Sequence, residues 1–328
     1  MNVAVVMGGY SDESVISIRS GQLILNNLDR SKYTPFEVHI LPEGWHVVID
    51  GKKYPVNKAD FSFEKESIKT NFDVGINPIH GTPGEDGQMQ AYWQLLGIPY
   101  TGCGFYQSAL TFNKRDTLSV LNKFGIPRAA SIYLSKGDPV NAQEIADNLG
   151  LPFMVKPNQS GSSLGISKVN SLEEFDKALE FAFAEDSDIL IESFLKGMEV
   201  SVGVLNYKGK TTVLGITEIV SHNDFFDYEA KYQGKSDEIT PARLDEETEK
   251  KVREVAIKAY EALGMSGFTR SEYIIVNGEP HFIEMNTNPG LSPASIFPQQ
   301  AGVAGVAMSD LFENEIELAL KRKVLFKK

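Results

Sequence analysis

Asn277-Gly278, set between two apolar-rich runs, constrains this chain more than any other dipeptide in it. Both residue types tolerate positive φ, so such a pair between two strand-like runs marks a β-hairpin. The runs are 268–276 and 281–285. Side chains alternate along a strand, so Arg270 shares a face with Glu272, and Glu284 with Asn286. Turn length then decides what meets across the hairpin. A strict two-residue turn puts Glu272 and Glu284 on opposite faces. A three-residue loop, Asn277-Gly278-Glu279 with glycine left-handed, sets them directly across from each other. Two carboxylates and an amide beside an arginine suit divalent metal held against a polyphosphate. Mg²⁺ prefers hard oxygen ligands and typically binds through one or two carboxylates plus substrate phosphates. That reading requires the three-residue loop, which is therefore the expectation. The alternative is an ordinary hairpin with solvated charges.

At 328 residues the chain exceeds one small core and suggests two or three domains. The net charge of −12 argues against nucleic acid or an anionic membrane as the main partner. A nucleotide substrate would then need local lysines, arginines and metal for its positive field. The single cysteine, Cys103, excludes a disulfide framework within the chain and fits a reducing cytoplasm. It lies in no reactive motif and reads as a small packed residue. No run approaches the length that spans a membrane. The apolar residues 3–7 end in Gly8-Gly9 and read as a buried strand, not a signal peptide.

After that strand, Ser11 reads as a helix N-cap with Asp12 and Glu13 in the first turn. Val15, Ile18, Leu25 and Leu28 recur at helical spacing as an inward face. Residues 37–41 and 72–79 read as strands, 84–96 as a helix, and 98–100 as the start of another strand. This alternation predicts a parallel sheet. Residues 113–124 read as a helix stopped by Gly125. Strands 153–156 and 166–169 flank a loop rich in glycine and serine. Ser171 caps a helix to about Phe183, and a strand follows at 188–192. Residues 199–206 and 211–220 read as a second hairpin across Lys208-Gly209. The stretch 221–244 has no clear period, and loops of that length are usually lids or binding loops. Asp245 caps a helix whose Val252, Val255, Ala259 and Leu263 face inward, with Gly264 as its stop. A last helix covers about 309–321.

The segment Lys156-Pro157-Asn158-Gln159-Ser160-Gly161-Ser162-Ser163-Leu164-Gly165 offers free backbone N–H groups and hydroxyls that can close over phosphates. Lys156 would add a point charge. It is not a P-loop, because G-x-x-x-x-G-K-[ST] is absent. The alternative is a glycine-rich connection without a ligand. The five histidines and one cysteine show no zinc spacing. No G-x-S-x-G elbow supports a serine hydrolase. The lack of G-x-G-x-x-G after the first strand argues against an NAD-dependent dehydrogenase.

Read together, the motifs carry a resemblance. They are Gly8-Gly9-Tyr10-Ser11-Asp12-Glu13, His80-Gly81-Thr82-Pro83-Gly84-Glu85-Asp86-Gly87, Pro99-Tyr100-Thr101-Gly102-Cys103-Gly104, Lys114, Val155-Lys156-Pro157, Gly161-Ser162-Ser163, Tyr228-Glu229-Ala230-Lys231-Tyr232 and Glu284-Met285-Asn286-Thr287-Asn288-Pro289-Gly290. In this order and spacing the chain resembles the D-alanine–D-alanine ligases of the ATP-grasp superfamily, essentially from end to end. The resemblance implies an α/β fold, α+β in the C-terminal half, in three domains. These would be a Rossmann-like substrate domain with a parallel sheet (1–112), a small central domain carrying the phosphate loop (113–195), and a C-terminal domain with lid and metal site (196–328).

The same resemblance implies a role for each matching residue. Lys114 and Lys156 would hold the ATP phosphates, with Lys231 as a further contact from the lid. Glu192, Phe194 and Leu195 would border the adenine, and Glu199 the ribose. Glu272, Glu284 and Asn286 would ligate two magnesium ions, which manganese can replace. Arg270 and the Gly290 N–H would stabilise the oxyanion of a tetrahedral intermediate. Ser162 and Tyr232 would close the lid. Glu13 would meet the first substrate's ammonium and His80 its carboxylate, with Ser295 and Ile296 near the peptide product. Val15, Glu272, Ser160 and Phe194 depart from the glutamate, aspartate, acidic residue and tryptophan usual at those positions. The implied reaction phosphorylates one D-alanine and joins it to a second for peptidoglycan precursor synthesis, in a cytoplasmic homodimer that binds no nucleic acid or membrane. D-lactate or D-serine ligation is the nearest rival. Tyr232 favours the dipeptide-forming type, because depsipeptide makers tend to carry histidine in that loop. A non-catalytic nucleotide-binding module is the rival from another class.

Overall fold

The structure is a computed structural model that describes residues 1–161, 163–222, 236–292 and 294–322. Its first sheet grows around β1 (Asn2–Gly8), whose residues Val3 to Met7 are fully buried. After β1 come α1 (Ser14–Asn27), β2 (Thr34–Leu41), β3 (Gly44–Ile49), β4 (Lys52–Asn57), β5 (Ser62–Lys65), β6 (Ile68–Thr70) and β7 (Val74–Ile76). The seven strands run in the order β6-β5-β4-β3-β2-β1-β7. Only β2, β1 and β7 pair in parallel. The expected parallel sheet is therefore three strands wide, and an antiparallel meander extends it. The meander's strands are only three to six residues long, with several exposed positions and no alternation of buried and exposed residues, too little apolar pattern to stand out. It is held by an aromatic cluster in which Phe61 packs on Trp45, Phe72, Tyr92 and Trp93.

Several boundaries differ from expectation. Glu13, not Ser11, precedes α1, and no side chain caps that helix. Ser11 Oγ instead donates to the His80 carbonyl. Val15 is 56% exposed, while Ile24 and Leu25 face the core. The helix expected from Gly84 begins at Gln88 as α2 (Gln88–Leu96), because Gly81 to Gly87 forms a glycine-bound loop. Residues 98–100 contribute one bridge, Gly75 to Tyr100. Helix α3 (Phe105–Phe112), which had no sequence signal, leads into α4 (Lys114–Lys123). The side chain of Asn113 caps α4 by accepting from the Asp116 N–H.

The second sheet has the order β10-β9-β11-β8. It is built from β8 (Ser131–Ser135), α5 (Ala142–Leu149), β9 (Phe153–Pro157), β10 (Ser167–Val169), α6 (Phe175–Glu185) and β11 (Asp188–Ser193). Ser171 makes no side-chain cap; one 3₁₀ turn precedes α6. Phe153, Val155, Phe175, Ala182 and Ile191 form this region's own core.

The third sheet is antiparallel throughout, in the order β14-β13-β12-β15-β16. Its strands are β12 (Met198–Tyr207), β13 (Lys210–Ser221), β14 (Ser236–Ile239), β15 (Phe268–Val276) and β16 (Glu279–Asn286). Helix α7 (Glu246–Ala262) starts under the Asp245 cap, which accepts from Thr248 N–H. Val252, Ala256 and Ala259 bury it against Val200, Val202, Val204 and Tyr273. Fully burying a valine-sized side chain stabilises by about 1.5–3 kcal/mol, so this seam anchors the sheet's inner face. The chain ends in α8 (Ile296–Val303) and α9 (Met308–Lys321).

The decisive hairpin differs from expectation in its mechanism. Val276 pairs with Glu279, so Asn277-Gly278 is a two-residue turn, with φ of 52° and 77°. The three-residue loop does not form. Instead the register slips once: Glu272 faces Glu284, but Tyr273 faces Phe282, leaving Ile283 as the extra residue of a β-bulge. The bulge returns Glu284 to the face of Glu272, as the metal reading requires. Cross-strand partners share a face. Glu199 pairs with Ile274 and Ile219, Ser201 with Glu272, and Gly203 with Arg270; Ile219 in turn pairs with Glu238. One face therefore carries Glu199, Arg270, Glu272, Glu284, Asn286 and Glu238.

Candidate active site

On that face the Arg270 Nη2 donates to Glu272 Oε1 at 2.8 Å, and both side chains are largely buried. Lys114, at the first turn of α4, brings its ammonium to 3.9 Å from Glu284 and hydrogen-bonds the Ser160 carbonyl at 2.7 Å. It thus ties the serine-rich loop to the hairpin. Asn286 sits opposite Arg270, and its Oδ1 accepts from the Asn288 N–H at 2.8 Å. Asn288 in turn donates to the carbonyls of Ile79 and Gly84, and Leu291 N–H donates to Ser20 Oγ. The segment after β16 is fastened by these bonds to the loop that carries His80.

Two cavities flank this junction. The smaller, about 100 Å³, is lined by Lys156, Glu192, Phe194, Leu195, Glu199, Ile274 and Ile283 among others. Lys156 and Glu192 lie in adjacent strands and pair at 2.5 Å. Burial works to lower the Lys156 pKa. The charge and hydrogen bond of Glu192, with Glu284 and Glu199 nearby, outweigh it and leave the pKa raised. The lysine stays a cation in a site lined by Met154, Ile166 and Ile274. Lys168 lies over the Phe194 ring at 4.5 Å.

The larger cavity, about 440 Å³, is lined by Glu13, His80, Glu85, Arg270, Gly290, Ser295, Ile296 and Glu238, among others. A Cβ on Gly161 would lie 3.0 Å from a carboxylate oxygen of Glu13, so the serine-rich loop closes against that acid through a residue without a side chain. His80 is buried, its N–H donates to Ser17 Oγ, and its Nε2 has no hydrogen-bond partner among the described residues. Burial depresses the imidazole's pKa; Glu13 opposes this and Arg270 adds to it. The start of α8 brings Ser295 and Ile296 to the wall, where a helix N-terminus favours negative charge. Both cavities share Lys114, Ser160 and Glu284.

Residues 2–103 match the family described as D-ala D-ala ligase N-terminus, and residues 120–317 the one described as D-ala D-ala ligase C-terminus. The chain belongs to the D-alanine–D-alanine ligase family. Among its relatives, the D-alanine--D-alanine ligase of Flavobacterium psychrophilum is 71% identical over the full length of both chains. Among solved structures, the VanG D-Ala:D-Ser ligase from Enterococcus faecalis is 30% identical, with a TM-score of 0.87 over 97% of this chain and 99% of that one. The D-alanine--D-alanine ligase from Bacillus anthracis complexed with ATP is also 30% identical, with a TM-score of 0.79 over 98% of each chain. The fold is ATP-grasp, and the ligase depends on ATP.

The ligase brings together Glu13, His80, Lys114, Lys156, Glu192, Phe194, Leu195, Glu199, Arg270, Glu272, Glu284, Asn286, Gly290, Ser295 and Ile296 around these two cavities. The expectations for Ser162, Lys231 and Tyr232 fall outside the described residues. Among the described residues no three His, Cys, Asp or Glu side chains form a closed metal cage. Two carboxylates and an amide on one sheet face nevertheless fit a metal that takes its remaining ligands from phosphates. No helix among the described residues is long and apolar enough to cross a membrane.

Two lining acids were not singled out from the sequence. Glu85 accepts from the Gly81 N–H at 3.0 Å. Burial, then the charge of Glu13, pushes its carboxyl up to about 8. Its position five residues after His80, between glycines, was the available signal. Glu238 lay in a stretch without period and had none. Burial raises its pKa too, with Arg270 opposing and Glu272 reinforcing.

Proposed function

We propose that this ligase joins two D-alanines into D-alanyl-D-alanine, using ATP to activate the first as an acyl phosphate. The observation that carries it is the shared wall of the two cavities: Lys114, Ser160 and Glu284 line both, which supports transfer of a γ-phosphate from a nucleotide in one to a carboxylate in the other. A carboxylate is a poor acyl donor, because its leaving oxide is too basic. Phosphorylation supplies a better leaving group. The second amine then attacks, a tetrahedral oxyanion forms, and phosphate departs. Arg270 and the Gly290 N–H are the donors for that oxyanion. Losing one such donor typically costs about 10²–10³ in rate. His80, with its unpaired Nε2 at the cavity wall, holds the first carboxylate, and Glu13 the first ammonium.

Glu272, Glu284 and Asn286 would hold magnesium, which when bound neutralises charge on the β- and γ-phosphates. Lys156 and Lys114 add fixed positive charge. Glu192, Phe194, Leu195 and Glu199 hold the adenosine. In this reading Lys231 would meet the phosphates, and Ser162 and Tyr232 the substrate. The three sheets support a division into domains at about 112 and 195. The working form is a cytoplasmic homodimer.

The test is ADP release with Mg-ATP and D-alanine, L-alanine, D-alanine plus D-lactate, or D-alanine plus D-serine. Release with D-alanine alone, yielding the dipeptide, is the expected result. Release that needs D-serine would move the chain toward the D-Ala:D-Ser ligase of Enterococcus faecalis. Release that needs D-lactate would make it a depsipeptide ligase. No release with any of them would sink the assignment.

A further inference from the structure

The larger cavity holds an acid to which the chemistry above gives no task. Glu238 sits on β14, the edge strand of the third sheet, in register with Ile219 and through it with Glu199. Its side chain therefore belongs to the face that carries Arg270 and Glu272, and it lines the cavity with Arg270, Ser295 and Ile296. Arg270 and Glu272 both act on its charge, the first favouring the carboxylate and the second opposing it. An enzyme that joins two amino acids must seat two nitrogens in one cavity. Glu13 supplies one carboxylate from the N-terminal elements. Glu238 supplies another from the opposite sheet, beside the residues expected near the product.

We infer that Glu238 seats the nitrogen of the second, attacking amino acid and thereby selects an amine over a hydroxyl as nucleophile. The inference rests on the D-alanine ligation reading and names its acceptor subsite. The placement suits attack. Glu238 and Arg270 line the same cavity, so a nitrogen held by one and a carbonyl oxygen held by the other share one enclosed space. The carboxylate accepts N–H from the incoming ammonium and, once a proton has left to solvent, from the amine. A hydroxy acid brings no positive charge and leaves a half-buried carboxylate poorly matched, which is how a polar site rejects an analogue.

Steady-state ADP release separates the KM values of the first and second D-alanine. Wild type, Glu238→Gln and Glu238→Asp are compared, with product analysis under D-alanine and D-lactate competition. Glu238→Gln keeps the shape of an edge-strand side chain and removes only its charge. It is expected to raise the second KM about tenfold to a hundredfold, the range of a hydrogen bond to a charged group. The first KM should stay close to the parent's, and the share of D-lactate in the product should rise. Glu238→Asp, which keeps the charge, should recover part of both effects. An unchanged second KM and acceptor preference in Glu238→Gln would overturn the inference. So would an equal rise in both KM values, which a merely structural role produces. A wild-type protein that makes no dipeptide overturns the ligation reading together with this one, and is recognised in the wild-type arm alone.

Discussion

Glu284 is the residue on which the most depends, because it lines both cavities and faces both Glu272 and Lys114. Glu284→Gln preserves volume and strand preference, so the expected outcome is a folded protein that has lost ADP formation. The loss should exceed the roughly 10–100-fold that removing an outer partner of a metal ligand costs. It should also be accompanied by a higher Mg²⁺ requirement, read by titrating the metal at fixed ATP. Near-normal turnover at ordinary Mg²⁺ would remove Glu284 from the ligand set. Strand alternation alone made the shared face of Glu284 and Asn286 legible in the sequence, although the same charges also fitted a solvated hairpin. Glu238 was not legible, because nothing but folding brings it to the cavity, and Glu85 offered only its glycine-bound place after His80.

At the scale of elements, the hairpin β15–β16 shows why some of the fold could be read and some could not. Alternation put Arg270 with Glu272 and Glu284 with Asn286, and both pairs stand. What failed was the device that aligns them. A three-residue loop and a β-bulge each shift the register by one residue, but only the bulge lets Phe282 and Met285, three residues apart, share the core face with Tyr273. The meander β3–β6 and the strand β14 escaped for another reason: strands of three to six residues with one wet face carry too few periods. A turn that is decoupled from the site by a bulge should tolerate damage. Gly278 has φ of 77° and no neighbour within 4 Å of a built Cβ. Gly278→Ala is therefore expected to destabilise by about 1–2 kcal/mol through the left-handed backbone alone. Thermal unfolding should register that change while kcat and both KM values hold. A fall in kcat without a fall in stability would mean that the turn, not the bulge, sets the site.

For the whole molecule, distant regions come close together at Gly102 and Gly267, with Glu315 of α9 beside them. A Cβ on Gly267 would lie 2.7 Å from Gly102 Cα and 2.4 Å from a Glu315 oxygen. Gly102 N–H donates to Glu315 at 3.2 Å. Burial raises the Glu315 carboxyl from 4.5 to about 7, against the pull of Gly102 N–H and Arg322. Because the folded pKa is the higher one, the folded state holds a proton that the unfolded chain has released between those values. Stability therefore falls as pH rises from 4.5 through about 7. Glu315→Gln should remove this group's share of that fall, leaving the share of Glu85, whose carboxyl is raised as well, and should leave the variant more stable than its parent above the window, by up to about 3 kcal/mol. Thermal midpoints on either side of the window measure it; parallel pH profiles for parent and variant would show that Glu315 is not the titrating group.

The wall shared by the two cavities has a thermodynamic consequence of its own. Lys114, Ser160 and Glu284 belong to both chambers, so a ligand in one resets the charge and position of groups that the other must use. The two affinities are then coupled, and coupling between binding equilibria is reciprocal: whatever factor nucleotide imposes on amino acid, amino acid imposes on nucleotide. A dissociation constant measured for either ligand alone describes a chamber whose neighbour is vacant, which is not the state in which the chemistry runs.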